Sequence, residues 1–318
     1  MRSASPLATH EHPQDVLGAA LGFATSAAKV ALVIVTATEG GAVRTPGALM
    51  AVSQRGDSAG YVSGGCIDAD VRLNAVEALN TGELRKLRYG AGSPFVDIRL
   101  PCGGAIDVLI VPNVTPETIS MMYDRLDNRE TVRFAVLATG DIQLDVAPGE
   151  TPLFQTVYYP KLSLRIAGRG ADCIALARLA SASGFALRLQ LPDEVDYEAV
   201  RSAGVGTVAR LTTPCSIAPV ADDRSTAFVL MFHDAHWEAA LLKQALGGPA
   251  FFIGAVGSAK THAKRCESLR EAGMSAHDIQ RIRGPVGLVP SMRDASMLAI
   301  STLAEIVDAF HTKEAVLV

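Results

Sequence analysis

The chain has 318 residues, 49% hydrophobic and 19% charged, with a net charge of −4. That composition suits a globular protein with two cores, and the lack of any basic excess or charged block argues against a nucleic-acid partner. The longest apolar runs, such as Val30 to Val35, are too short to span a bilayer, and the start of the chain lacks the pattern of a signal peptide. Five cysteines, at 66, 102, 173, 215 and 266, are odd in number and sparse, which fits free thiols in a reducing cytoplasm.

In chain order, residues 1–13 read as a disordered tail and 14–28 as a helix with Val16, Leu17, Ala20 and Leu21 on one face. Val30 to Thr36 is a β-branched run and predicts a buried strand. Ala48 to Ser53 and Ala59 to Val62 read as strands joined by a hairpin-like turn at Arg55-Gly56-Asp57-Ser58. Ile67 to Asn80 has helical periodicity, carries Asp68 and Asp70 in its first turn, and ends near Gly82. Ile106 to Val111 predicts a strand, Pro116 to Asn128 a helix, and Thr131 to Thr139 and Phe154 to Tyr158 two more strands.

From Lys161 the pattern changes. Strands at 162–167, 187–191, 228–232 and 251–256 alternate with helices at 171–183, 235–246, 259–272 and 291–311. That alternation predicts a parallel sheet with helices on both faces. The expected layout is a mixed α/β domain over 14–150, a linker over 151–160, and a Rossmann-like doubly wound parallel-sheet domain over 161–318.

Two blocks stand out for chemistry. Tyr61-Val62-Ser63-Gly64-Gly65-Cys66-Ile67-Asp68 and Leu100-Pro101-Cys102-Gly103-Gly104-Ala105-Ile106-Asp107 each set a thiol beside two glycines. Glycine leaves no side chain to shield its neighbours, so backbone N–H groups and the thiol can approach a ligand closely. Cys66 falls just before a predicted helix start, where negative charge is favoured. Cys173 and Cys266 lie in predicted helices and read as small core residues.

Gly168-Arg169-Gly170, between a strand and a helix, is where a dinucleotide pyrophosphate would sit, but the third glycine position is Cys173 and no acid ends the next strand. Gly254-Ala255-Val256-Gly257-Ser258 with Lys260 is a second phosphate-like turn. His233-Asp234-Ala235-His236 lies at a strand's carboxyl end and reads as cleft lining, a helix cap or a metal site.

Together these segments resemble the XdhC/CoxI family, accessory proteins of xanthine dehydrogenase-type molybdenum hydroxylases. The match rests on Arg44-Thr45-Pro46-Gly47-Ala48-Leu49-Met50, Gly64-Gly65-Cys66-Ile67-Asp68, Arg88-Tyr89-Gly90-Ala91-Gly92-Ser93-Pro94 and Asp97-Ile98-Arg99-Leu100-Pro101-Cys102-Gly103-Gly104. Phe252 to Ser258, Gly284-Pro285-Val286-Gly287-Leu288 and Leu303 to Val307 extend it through the carboxyl half. The chain departs from the family at Gly170-Ala171-Asp172-Cys173, which lacks a histidine, and at Gln190 to Pro192, which lacks an Asp-Arg pair.

The resemblance implies a cytoplasmic, homodimeric maturation factor rather than a catalyst. Such a factor binds molybdenum cofactor as cargo, protects it while a cysteine desulfurase sulfurates it, and inserts it into an apo molybdenum hydroxylase of the xanthine or CO dehydrogenase type. For that cargo, Cys66 and Cys102 are the soft candidates near molybdenum. Backbone at Gly64, Gly65, Gly103 and Gly104 is a candidate for holding oxo groups or phosphate, with Arg44 and Arg99 as anion partners and Asp68 and Asp107 as orienting groups. Gly168 and Gly170 complete the candidate cofactor-binding set. The competing reading is an NAD(P)-dependent oxidoreductase using the Rossmann-like domain, which the incomplete glycine loop makes the weaker one.

Overall fold

The computed structural model describes residues 10–24, 29–41, 43–93, 103–112, 114–145, 151–232 and 234–317. The chain divides into two compact units, residues 1–160 and 161–318. The first contains α1 (Pro13–Ala24), β1 (Val30–Glu39), β2 (Leu49–Ser53), β3 (Ser58–Gly60), α2 (Asp68–Thr81), β4 (Arg85–Gly90) and β5 (Ala105–Val111). It continues through α3 (Pro116–Asp127), β6 (Val132–Val136), β7 (Ile142–Leu144) and β8 (Phe154–Tyr158).

Five of these strands form an antiparallel sheet in the order β3-β2-β1-β5-β4. Its central strand, β1, is apolar without a break from Val30 to Val35, where both faces are covered. Val30, Leu32 and Ile34 pack on one side with α1 and α3 residues such as Leu17, Ile119 and Met122. Ala31, Val33 and Val35 pack on the other against Val71, Ala75 and Leu79 of α2. The α2 helix stops where Gly82 takes φ 77° and its N–H returns to the Ala78 carbonyl, a left-handed cap that glycine adopts at little cost.

A smaller sheet, β7-β6-β8, closes the first core with Phe134 and Tyr158 rings 5.0 Å apart. The stretch 151–160 therefore does not run as a free linker: β8 pairs antiparallel with β6 inside the first unit. Part of the expected tail is also ordered, since Glu11 bonds to Arg44 and Tyr61; residues 1–9 lie outside the described residues.

The second unit runs β9 (Ser163–Gly168), α4 (Gly170–Ala182), β10 (Ala186–Leu191), α5 (Glu194–Ala203), β11 (Thr207–Arg210) and β12 (Thr226–Met231). Then come α6 (Ala235–Leu246), β13 (Phe252–Ala255), α7 (Ala259–Glu271), α8 (Ala276–Gln280), β14 (Ile282–Arg283) and α9 (Ala295–Leu317). Every strand pair is parallel, in the order β11-β10-β9-β12-β13-β14. Counted within the unit that order is 3-2-1-4-5-6, the doubly wound arrangement of dinucleotide-binding folds. Leu176 of α4 and Ile306 of α9 pack on one face, and Trp237 and Leu241 of α6 with Leu269 of α7 on the other. The helix expected from 291 begins at Ala295, because Ser291 has φ 61° and the Asp294 carboxylate caps the Ser296 and Met297 N–H groups.

The second unit also buries a charge. Arg165 of β9 is fully buried and pairs with Asp222 at 2.6 Å, with Gln190 accepting at 2.9 Å and the Phe228 ring 4.0 Å below. Arg188 binds the same carboxylate at 2.8 Å. Burial lowers the Arg165 pKa and Asp222 opposes that shift. Removing one partner of such a pair leaves an uncompensated buried charge. Asp222→Ala should therefore cost about 3–5 kcal/mol in urea unfolding; a loss of only a few tenths would show that the pair is solvated.

Candidate functional site

The loops that carry the glycine–cysteine blocks meet at one end of the five-stranded sheet, where β1, β3 and β4 end and β2 and β5 begin. Gly40 follows β1 and Gly104 precedes β5, and their backbones touch. A Cβ on Gly104 would overlap the Glu39 carbonyl oxygen, and one on Gly40, at φ 69°, would lie 3.1 Å from the Gly104 Cα. Gly104 is thus needed for close packing and its backbone is buried, rather than open to a ligand; Gly103 beside it is exposed. The Gly104 carbonyl accepts from Ala91 N–H at 3.2 Å, which ties the end of β4 to the same cluster. Arg88 braces these strands with bonds to Asp107 at 2.8 Å, Glu39 at 2.7 Å and the Ala91 carbonyl at 2.9 Å. Asp107 is therefore an ion-pair partner of Arg88.

The Cys66 loop is shaped by one carboxylate. Asp68 accepts from the Val62 N–H at 2.7 Å, the Ser63 N–H at 3.2 Å, the Ser63 hydroxyl at 2.9 Å and the Gly65 N–H. The Ser63 hydroxyl in turn accepts from Ile67 N–H at 3.0 Å. Gly64 and Gly65, at φ 76° and 118°, make the reversal possible. The result is a tight loop that leaves Cys66 exposed one residue before Ile67, the N-cap of α2. No side chain caps that helix end, so its first-turn amides are left without a capping acceptor. The Gly65 N–H, expected as an anion donor, is already taken by Asp68. Tyr89 donates to Asp70 at 2.6 Å, and burial raises the Tyr89 pKa, so its hydroxyl stays a donor there.

Val43 is exposed and would lie 3.7 Å from a Cβ on Gly64, which places the Arg44 turn against the Cys66 loop. Arg44, a candidate anion partner, is held within its own unit. Its Nη2 donates to the Glu11 carbonyl at 2.9 Å and its guanidinium lies 4.6 Å over the Tyr61 ring. Cys102 and Arg99 lie outside the described residues.

The second unit offers less. A Cβ on Gly168 would collide with Met231, so this glycine serves strand packing. The Gly170 N–H donates to the Asp196 carboxylate at 3.1 Å, which sets a negative group where a pyrophosphate would bind. Ser258 caps α7 and Asp234 caps α6; His233 lies outside the described residues. Among the described residues no three His, Cys, Asp or Glu side chains gather as a metal cage. Cys173 is buried and its pKa is pushed up to about 12 by burial, while Cys266 sits 3.5 Å from His262 Nε2. No helix among the described residues is long and apolar enough to cross a membrane.

Comparison with known proteins identifies the family. The family model of the XdhC and CoxI family matches residues 24–90, and that of the XdhC Rossmann domain matches 164–306. A molybdenum cofactor insertion chaperone, PaoD of Escherichia coli K12, is 32% identical over 315 residues, covering 96% of this chain and 91% of that protein. The chain belongs to the XdhC and CoxI family. A crystal structure titled as a xanthine dehydrogenase from Bacillus halodurans superposes with a TM-score of 0.75 at 21% identity, covering 95% of this chain and 96% of that one, and so shares the fold. The first matched segment contains Arg44 and the whole Cys66 loop.

Two outcomes follow for this XdhC-type chain. Alkylation of the native protein at pH 8 should label Cys66 and spare Cys173 until the protein is unfolded; early labelling of Cys173 would contradict its burial. Asp68→Ala removes the acceptor of four loop donors and should cost about 1–3 kcal/mol in thermal or urea unfolding. It should also slow or scatter the labelling of Cys66, because the loop no longer holds one form.

Proposed function

We propose that this chain binds molybdenum cofactor and inserts it into an apo molybdenum hydroxylase of the xanthine or CO dehydrogenase type, shielding it during sulfuration by a cysteine desulfurase. The observation that carries the reading is an exposed thiol held on a preformed glycine loop at an uncapped helix end. The identity to a cofactor insertion chaperone along nearly the whole chain supports it.

The cargo supplies a soft molybdenum centre, oxo groups and a phosphate. In this reading the Cys66 thiol meets the metal side of the cargo, and Cys102, next to the exposed Gly103, is its counterpart. The exposed backbone at Gly64 and the first-turn amides of α2 receive oxygen atoms. Asp68 is a positioning residue: it holds the loop and does not touch cargo. Arg44 and Arg99 supply positive charge. A homodimer and a cytoplasmic setting belong to the same proposal.

An NAD(P)-dependent oxidoreductase is the alternative, and the strand order of the second unit is its support. Asp196 on the Gly170 N–H and Met231 against Gly168 weigh against it. Adding NAD or NADP should leave the thermal midpoint and the emission of Trp237 unchanged; saturable quenching by either would favour the oxidoreductase.

The deciding experiment is cofactor retention. The purified chain is incubated with molybdenum cofactor, desalted, and assayed for pterin and molybdenum. Near-stoichiometric retention is expected, reduced at least severalfold in Cys66→Ala and Cys102→Ala at unchanged thermal midpoint. No retention by the unaltered chain would refute the carrier reading, and full retention in both variants would refute the assigned site.

A further inference from the structure

The turn between β1 and β2 holds a cation whose charge and donors are not used up. Among the described residues Arg44 forms no ion pair: its Nη2 goes to the neutral Glu11 carbonyl, its guanidinium stacks on the Tyr61 ring, and its buried Nε–H has no acceptor there. In the same unit, Tyr158 at the end of β8 is 4% exposed, and its hydroxyl has no hydrogen-bond partner among the described residues.

Gly47 is what brings the two together. Its φ of 93° and missing side chain let the turn lie on β8, where a Cβ would sit 3.2 Å from Thr156 Oγ1 and 4.0 Å from the Tyr158 ring. Burial raises the Tyr158 pKa, and the Arg44 charge is near enough to oppose that rise. The hydroxyl therefore stays protonated within the field of a guanidinium. Buried donors left unsatisfied are costly unless another group accepts from them. A water would satisfy the bonds but not the charge. An oxyanion satisfies both, and the half-buried guanidinium strengthens its hold.

We propose that Arg44 and Tyr158 form an oxyanion subsite that takes a phosphate group, with the Glu11 carboxylate as the negative charge that opposes entry. Glu11 is exposed and its carboxylate accepts from the Tyr61 hydroxyl at 2.5 Å, on the ring that Arg44 covers. The proposal rests on the carrier reading only in naming the cofactor's phosphate as the natural occupant.

The test uses inorganic phosphate and the full chain, so it does not depend on molybdenum. Phosphate is titrated at constant ionic strength by calorimetry and by phosphorus NMR line broadening. Saturable binding at one site is expected, weakened about tenfold by Tyr158→Phe and lost in Arg44→Gln, with Glu11→Ala binding more tightly than the unaltered chain. Without phosphate, Tyr158→Phe should keep or raise the thermal midpoint, since it deletes an unsatisfied hydroxyl. Absence of saturable binding, or equal affinity in Tyr158→Phe and Arg44→Gln, would overturn the subsite and leave a bridging water as the occupant. Phosphate binding without cofactor retention would refute the carrier reading alone; retention without phosphate binding would refute the subsite alone.

Discussion

The Asp68 carboxylate is the constraint on which the site depends. It gathers four donors from the loop that precedes its own helix, and so turns a run of two glycines into one fixed conformation. Without it, Gly64 and Gly65 would give Cys66 a wide range of positions at an entropic cost on any binding event. With it, the thiol is held in place before a ligand arrives. The cost is that one amide once available to an anion is consumed by the protein's own carboxylate. The remaining donors are those of the uncapped first turn of α2, which cannot turn inward because the helix packs on the sheet through Val71 and Ala75. Exposure of the thiol and rigidity of its loop thus come from the same side chain.

The periodic elements were legible in the sequence and the polar ones were not. The α2 helix lies within one residue of its expected bounds because its apolar positions repeat at helical spacing and a glycine ends it. The β4 strand is hidden in the sequence because Arg85, Lys86 and Arg88 mask the alternation of Leu87 and Tyr89; charge of this kind is common on an edge strand. The α5 helix and β11 at the opposite edge of the second unit escaped notice for the same reason, having few buried residues. At the site, glycine pairs beside cysteines were a true signal of exposed backbone at Gly64 and Gly65. They misled at Gly104, where the glycine is required by the Glu39 carbonyl. An acid in a helix's first turn reads as a dipole partner, so the loop-holding role of Asp68 needed coordinates. Tyr158 ends an apolar strand and reads as core, which it is except for one oxygen atom.

The second unit shows why strand order does not settle what a fold binds. Its sheet has the arrangement of dinucleotide-binding proteins, and its first turn has two glycines in the expected places. One of those glycines is set by the Met231 backbone, and the amide of the other is answered by Asp196. A carboxylate at a helix N-terminus satisfies the same field that would hold a phosphate. The geometry of the turn is therefore complete without a ligand, and the fold alone carries no activity.

Two arginines make the same point about charge. Arg165 is fully buried yet fully answered: a carboxylate, an amide oxygen and an aromatic face meet it, and a second arginine shares the carboxylate. Such a cluster fixes how β9, β10 and the entry to β12 sit together, and nothing is left for a ligand to bind. Arg44 is less buried and less satisfied, stacked on a ring with one neutral acceptor and a buried N–H unused. Burial by itself does not mark a functional cation; the unmet part of its bonding does. By that measure the proposed binding site belongs in the first unit, at the sheet end that carries Arg44, Tyr61 and the Cys66 loop.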